Sequence, residues 1–159
     1  MARLEVEGSK SIYYEDLGGA GQPMMLIHGW GMDNRCWDGV ILPLQAAGHR
    51  VITMDHRGCG RSDHDFADLS IAAIAGDVVA LVDHLGLSDV VVNGWSLGGA
   101  VATHAASLLG DRCAALVLLP TLAALALSTS ARVFRPTARR SVGRRAKKPS
   151  PPLHSASAA

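Results

Sequence analysis

Val90-Val91-Val92-Asn93-Gly94-Trp95-Ser96-Leu97-Gly98-Gly99-Ala100 is the stretch that decides the fold. A β-branched run enters Gly94-x-Ser96-x-Gly98, and small, helix-compatible residues follow over 97–109. Strand, sharp turn and helix together form the setting in which a G-x-S-x-G serine serves as a nucleophile. Gly94 and Gly98 are expected to be glycines because the helix must pass very close to the strand, leaving no room for a Cβ. Ser96 is then expected at a helix N-terminus, where free backbone N–H groups and the helix dipole favour a developing oxyanion.

Two upstream segments extend the pattern. Pro23-Met24-Met25-Leu26-Ile27 is an apolar run of strand length that stops at His28-Gly29-Trp30. Continuous apolar character suits a strand covered on both faces, as in a parallel sheet. The backbone N–H groups of Trp30 and Leu97 are the expected pair of oxyanion donors. The His28 side chain reads as a loop brace, because a base in this kind of site follows the serine in the chain. Val51-Ile52-Thr53-Met54 then leads into Asp55-His56-Arg57-Gly58-Cys59-Gly60-Arg61-Ser62. Here Asp55, Arg57 and Arg61 are expected to form one charge cluster that holds the loop, with no catalytic part.

His28-Gly29-Trp30, the Asp55–Ser62 loop and Gly94-Trp95-Ser96-Leu97-Gly98-Gly99 resemble, in order and separation, the α/β-hydrolase superfamily, and most closely its esterase and cofactor-free haloperoxidase-like branch. A serine at 96 separates the chain from the dehalogenases and epoxide hydrolases, which place an aspartate there. The resemblance covers residues 1 to about 119. It implies ester or related acyl hydrolysis with Ser96 as nucleophile, a small ester-like substrate and no cofactor.

Composition agrees with a single globular domain. Of 159 residues, 48% are hydrophobic, ordinary for a packed core. The net charge of +1 conceals a division. Residues 1–119 hold all 14 Asp and Glu against 7 Lys and Arg, whereas residues 120–159 hold 8 basic residues and no acid. Three scattered cysteines, Cys36, Cys59 and Cys113, make neither a disulfide framework nor a zinc motif and suit a reducing, cytoplasmic location. The N-terminus has no secretory pattern. The longest apolar run, over 113–127, is broken by Pro120 and falls short of the ~20 residues that span a bilayer. His64, flanked by Asp63 and Asp65, reads as a solvated loop, since adjacent residues rarely converge on one metal.

Along the chain, 3–6 and 11–16 predict an opening hairpin around Gly8, and 24–27, 51–54, 90–92 and 115–119 predict strands. Helices are predicted over 36–47, over 71–85 from apolar residues at 71, 74, 78, 81, 82 and 85, and over 97–109. The fold class is α/β, a mainly parallel sheet of the α/β-hydrolase kind, truncated after its sixth strand. Residues 1–119 form the partial domain and 120–159 a basic Ala/Ser/Arg/Pro-rich tail, expected to be disordered. The sixth strand is then an uncapped edge, inviting self-association.

The site lacks a base by sequence. After Ser96 come one acid, Asp111, and two histidines, His104 and His154. In this fold the order is serine, acid, histidine. Asp111 precedes the sixth strand, and so belongs at the far end of the sheet. His104 is expected as a partly buried helix residue directed away from the turn, and His154 lies in the tail. Activity of this chain alone is therefore expected to be impaired. A rival reading is a non-catalytic interaction protein that uses the strand edge or the basic cluster at 139–148. Nucleic acid is not the expected partner, because a solvated tail explains the cluster more simply. Nucleotide binding ranks last, without a G-x-G-x-x-G or a P-loop lysine.

Overall fold

The computed structural model describes residues 2–119 and, as backbone, residues 132–134. Four parallel strands form the centre of a seven-stranded sheet: β3 (Pro23–Ile27), β4 (Arg50–Met54), β5 (Val90–Trp95) and β6 (Cys113–Leu119). With β1 (Ala2–Glu7), β2 (Lys10–Asp16) and β7 (Arg132–Phe134), the order is β1-β2-β4-β3-β5-β6-β7. The β1–β2 hairpin is antiparallel, turns at Gly8 with φ +57°, and joins β4 antiparallel.

Side chains alternate across the sheet as a period of two requires. Met25 and Ile27 of β3, Ile52 and Met54 of β4, and Val90 and Val92 of β5 enter one core layer. α2 (Ile71–His84) and α3 (Leu97–Leu109) cover that layer. Leu26 and Val51 face the other way, against Trp37 and the half-buried Ile41 and Leu44. The helix expected over 36–47 is a 3₁₀ turn, Asn34–Trp37, running into α1 (Asp38–Ala46). α1 buries no residue fully and leaves Leu42 74% exposed, so its hold on the sheet is light. α2 is capped by Ser70, whose Oγ accepts from Ala73 N–H at 3.1 Å. It buries Ile74, Val78, Leu81 and Val82 of the expected stripe, while Ile71 remains exposed.

One expectation is corrected here. β6 is not the sheet's edge, since β7 pairs with it antiparallel, Leu116 opposite Phe134 and Leu118 opposite Arg132. An unpaired strand edge presents backbone N–H and C=O groups that seek partners, and Val133 and Phe134 favour a strand. The expected disorder of the tail, apart from 132–134, lies outside the described residues, as does its basic cluster. Among the described residues, no helix is long and apolar enough to cross a membrane.

Candidate active site

Ser96 has φ +56° and ψ −118°, backbone values that a side-chain-bearing residue rarely adopts. Glycines on either side make this conformation reachable. A Cβ on Gly94 would fall on the Gly98 carbonyl and the Ala102 methyl, and a Cβ on Gly98 would fall on the carbonyls of Ile27 and His28. The elbow is therefore wedged between its own strand and the end of β3. Ser96 N–H donates to Leu119 O at 3.0 Å, which ties the turn to the end of β6. Such strain persists only where surrounding packing imposes it.

Ser96 occupies the N-cap position of α3, yet its side chain makes no capping bond. The hydroxyl is thus left for another role. Leu97 is the first residue of the helix, so its N–H has no intrahelical acceptor. The loop after β3 comes up against the turn: a Cβ on Gly29 would lie 3.2 Å from Ser96 Cβ. Trp30, next in that loop, is 82% exposed. Among the described residues, neither Trp30 N–H nor Leu97 N–H is taken by a backbone carbonyl.

His28 braces this loop. It is fully buried, its Nδ1–H donates to Gly29 O at 2.8 Å, and its Nε2 accepts from His56 N–H at 3.0 Å. These bonds fix its tautomer, and burial lowers its pKa. The two imidazoles stack, with centroids 3.8 Å apart and planes at 20°. Burial, then the neighbouring His28, push His56 down to about 3, so it stays neutral. Its Nε2 is buried without a hydrogen-bond partner. Sequence alone gave no sign of this stack, because its members lie 28 residues apart.

The expected Asp55–Arg57–Arg61 cluster divides in two. Asp55 is fully buried and accepts from Asn34 N–H at 2.7 Å and Arg61 N–H at 2.8 Å, with Arg61 Nε at 3.7 Å. Gly60, at φ +50°, passes so close that a Cβ there would strike the Asp55 carboxylate. Arg57 turns away from Asp55. It forms a bidentate pair with Asp77 of α2 at 2.6 and 2.7 Å, adds Glu7 at 3.0 Å and Asp68 O at 2.9 Å, and lies over the Phe66 ring. Burial pushes Asp77 up while Arg57 pulls it down; the two-pronged geometry is that of an ion pair. Arg57 thus anchors the loop to α2, which sequence spacing does not reveal.

The remaining candidates stand apart from Ser96. Asp111 is in the turn Gly110–Arg112 before β6, at the opposite end of the sheet. His104 is exposed on α3 rather than partly buried. His84 meets Tyr14 Oη at 3.1 Å, His64 is an exposed loop residue, and His154 lies outside the described residues. Among the described residues, no three potential ligands gather for a metal. All three cysteines are free thiols.

The parallel sheet and the strained serine at the carboxyl end of β5 define the class. A family described as alpha/beta hydrolase fold matches residues 22–148, and the chain belongs to that family. A non-heme haloperoxidase from Rhodococcus erythropolis is 40% identical over 130 residues, covering 81% of this chain and 47% of the relative. Among solved structures, a bromoperoxidase from Bacillus anthracis shares 37% identity at TM-score 0.65, covering 69% of this chain and 40% of its own. An esterase from Exiguobacterium antarcticum shares 31% identity at TM-score 0.65, covering 69% and 41%. The chain spans less than half the length of these relatives.

Proposed function

We propose that this chain carries the nucleophile half of a serine hydrolase acting on small esters or related acyl compounds. The observation that carries the reading is the backbone of Ser96, held at φ +56° at the head of α3. In this reading Ser96 Oγ attacks the carbonyl carbon, and Trp30 and Leu97 N–H bind the oxyanion. Family relatives named as an esterase and as haloperoxidases support the reaction class. The reading needs a base to take the serine proton and an acid to orient that base. His56 is unsuited to the task, because it is stacked, buried and neutral down to about pH 3.

The 159-residue chain alone is therefore expected to hydrolyse p-nitrophenyl acetate no faster than its Ser96→Ala variant. Joining the continuation of a full-length relative in frame after Leu119 supplies the acid and histidine. That chimaera is expected to gain about 10³-fold or more in kcat/KM, all of it lost in Ser96→Ala. Activity of the chimaera that survives Ser96→Ala would overturn the reading.

A further inference from the structure

Gly29 is the loosest point of the loop that carries Trp30. A Cβ there would lie 3.2 Å from Ser96 Cβ, 3.4 Å from Trp95 O and 3.5 Å from the Trp95 ring. This close fit to the elbow favours glycine, and glycine leaves its backbone free to adopt many conformations. The Gly29 carbonyl and the Trp30 N–H belong to one planar trans peptide and point in opposite directions. Turning that peptide over would present Gly29 O where the Trp30 N–H stands, an acceptor in place of a donor. The oxyanion site assigned above would then repel the charge it has to bind.

Two donors oppose the turnover, both on Gly29 O. Met32 N–H reaches it at 3.4 Å, beyond the usual range for such a bond. His28 Nδ1–H reaches it at 2.8 Å. The imidazole is itself held on several sides. It is fully buried, stacked on His56, and its Nε2 accepts from the His56 backbone N–H at 3.0 Å. A neutral imidazole has one N–H and one lone pair. With the lone pair committed at Nε2, the proton must stand at Nδ1, facing Gly29 O. Burial lowers the pKa of His28 and so keeps the ring neutral. At the other end of the same peptide, Trp30 N–H is not taken by a backbone carbonyl among the described residues. A hydrogen bond accepted at the carbonyl also polarises the peptide and strengthens its N–H as a donor.

Resting on the hydrolase reading, we propose that His28 is a positioning residue whose Nδ1–H latches Gly29 O and so holds the Trp30 N–H as an oxyanion donor, with the backbone N–H of His56 imposing the tautomer that the latch needs. His28 touches neither substrate nor Ser96 in this role. The Asp55 loop, through His56, thereby sets the state of a donor on a different loop.

The latch is read by NMR in the 159-residue chain. The unaltered His28 ring is expected to show a protonated Nδ1, an unprotonated Nε2 and a through-hydrogen-bond coupling from Nδ1 to the Gly29 carbonyl carbon. The Trp30 amide is expected to give one resonance. His28→Leu removes the donor and is expected to split that resonance or change its HN–Hα coupling, which reports the backbone angle at Trp30. His28→Asn, whose side-chain NH₂ can stand where Nδ1–H stood, is expected to restore the native coupling. In the chimaera, His28→Leu is expected to lower kcat about 10²-fold at nearly constant KM, the loss of one oxyanion donor, and His28→Asn to recover most of it. A protonated Nε2, no coupling to the Gly29 carbonyl, a Trp30 amide indifferent to His28→Leu, no rescue by His28→Asn, or a loss carried by KM rather than kcat would each overturn the proposal. The readings on the unaltered chain need no substitution, so they decide the matter even if His28→Leu fails to fold. A chimaera that is inactive, or whose activity ignores Ser96, would defeat the hydrolase reading, while the latch stands or falls on the NMR readings.

Discussion

Single residues at the elbow act through what they lack or withhold. Gly94 and Gly98 lack the Cβ that would collide with backbone, and backbone cannot yield as a flexible side chain can. Gly94→Ala is expected to destabilise by about 1–3 kcal/mol or more, read as a lower urea midpoint; no measurable loss would mean the helix can retreat from the strand. His56 withholds a charge. Its pKa is about 3 in the fold against 6.5 ordinarily. Between those values the unfolded chain binds a proton that the folded chain refuses, so stability rises with pH across that window. Stability is thus expected to drain away as pH falls from about 6.5 toward 3, with buried His28 adding in the same direction. His56→Phe is expected to flatten the slope of unfolding free energy against pH. An unchanged slope would place the proton-linked group elsewhere.

Elements are held together by pairs that span distant segments. The Asp55 loop is tied to the 3₁₀ turn through Asn34, and Arg57 ties it to α2 through Asp77. Removing one partner from a buried ion pair strands the other charge. Arg57→Ala is accordingly expected to cost about 3–5 kcal/mol, measured by chemical denaturation; a cost below about 1 kcal/mol would show that Asp77 finds other solvation. This is also the scale at which sequence reading divides. The strands, the glycine-framed turn and the α2 stripe were legible because each is written in a local period or motif. The His28–His56 stack and the choice of Asp77 over Asp55 by Arg57 were not, because they depend on which loops meet in space. β7 was hidden for a different reason. Three residues are too few to show a period, and they sit within an Ala/Ser/Arg-rich stretch.

Across the whole molecule, the parallel sheet places the loop after β3, the Asp55 loop and Ser96 at one end, where sheets of this kind bind ligands. β7 alters the expected behaviour of the far side. With β6 paired on both sides, the rival reading that relied on an open sixth strand loses that edge. The 159-residue chain is expected to elute as a monomer, whereas a chain ending at residue 131 should self-associate through the bared β6; identical elution of the two would show that β7 protects nothing. The central claim is that Ser96 is a nucleophile presented by the elbow. Its most direct measurement is peptide mass mapping after the chimaera described above reacts with an alkyl fluorophosphonate, which marks activated serines. The account predicts one adduct, on the peptide containing Ser96, and none in Ser96→Ala. An adduct on another residue, or an esterolytic chimaera that takes up no label at Ser96, would contradict it.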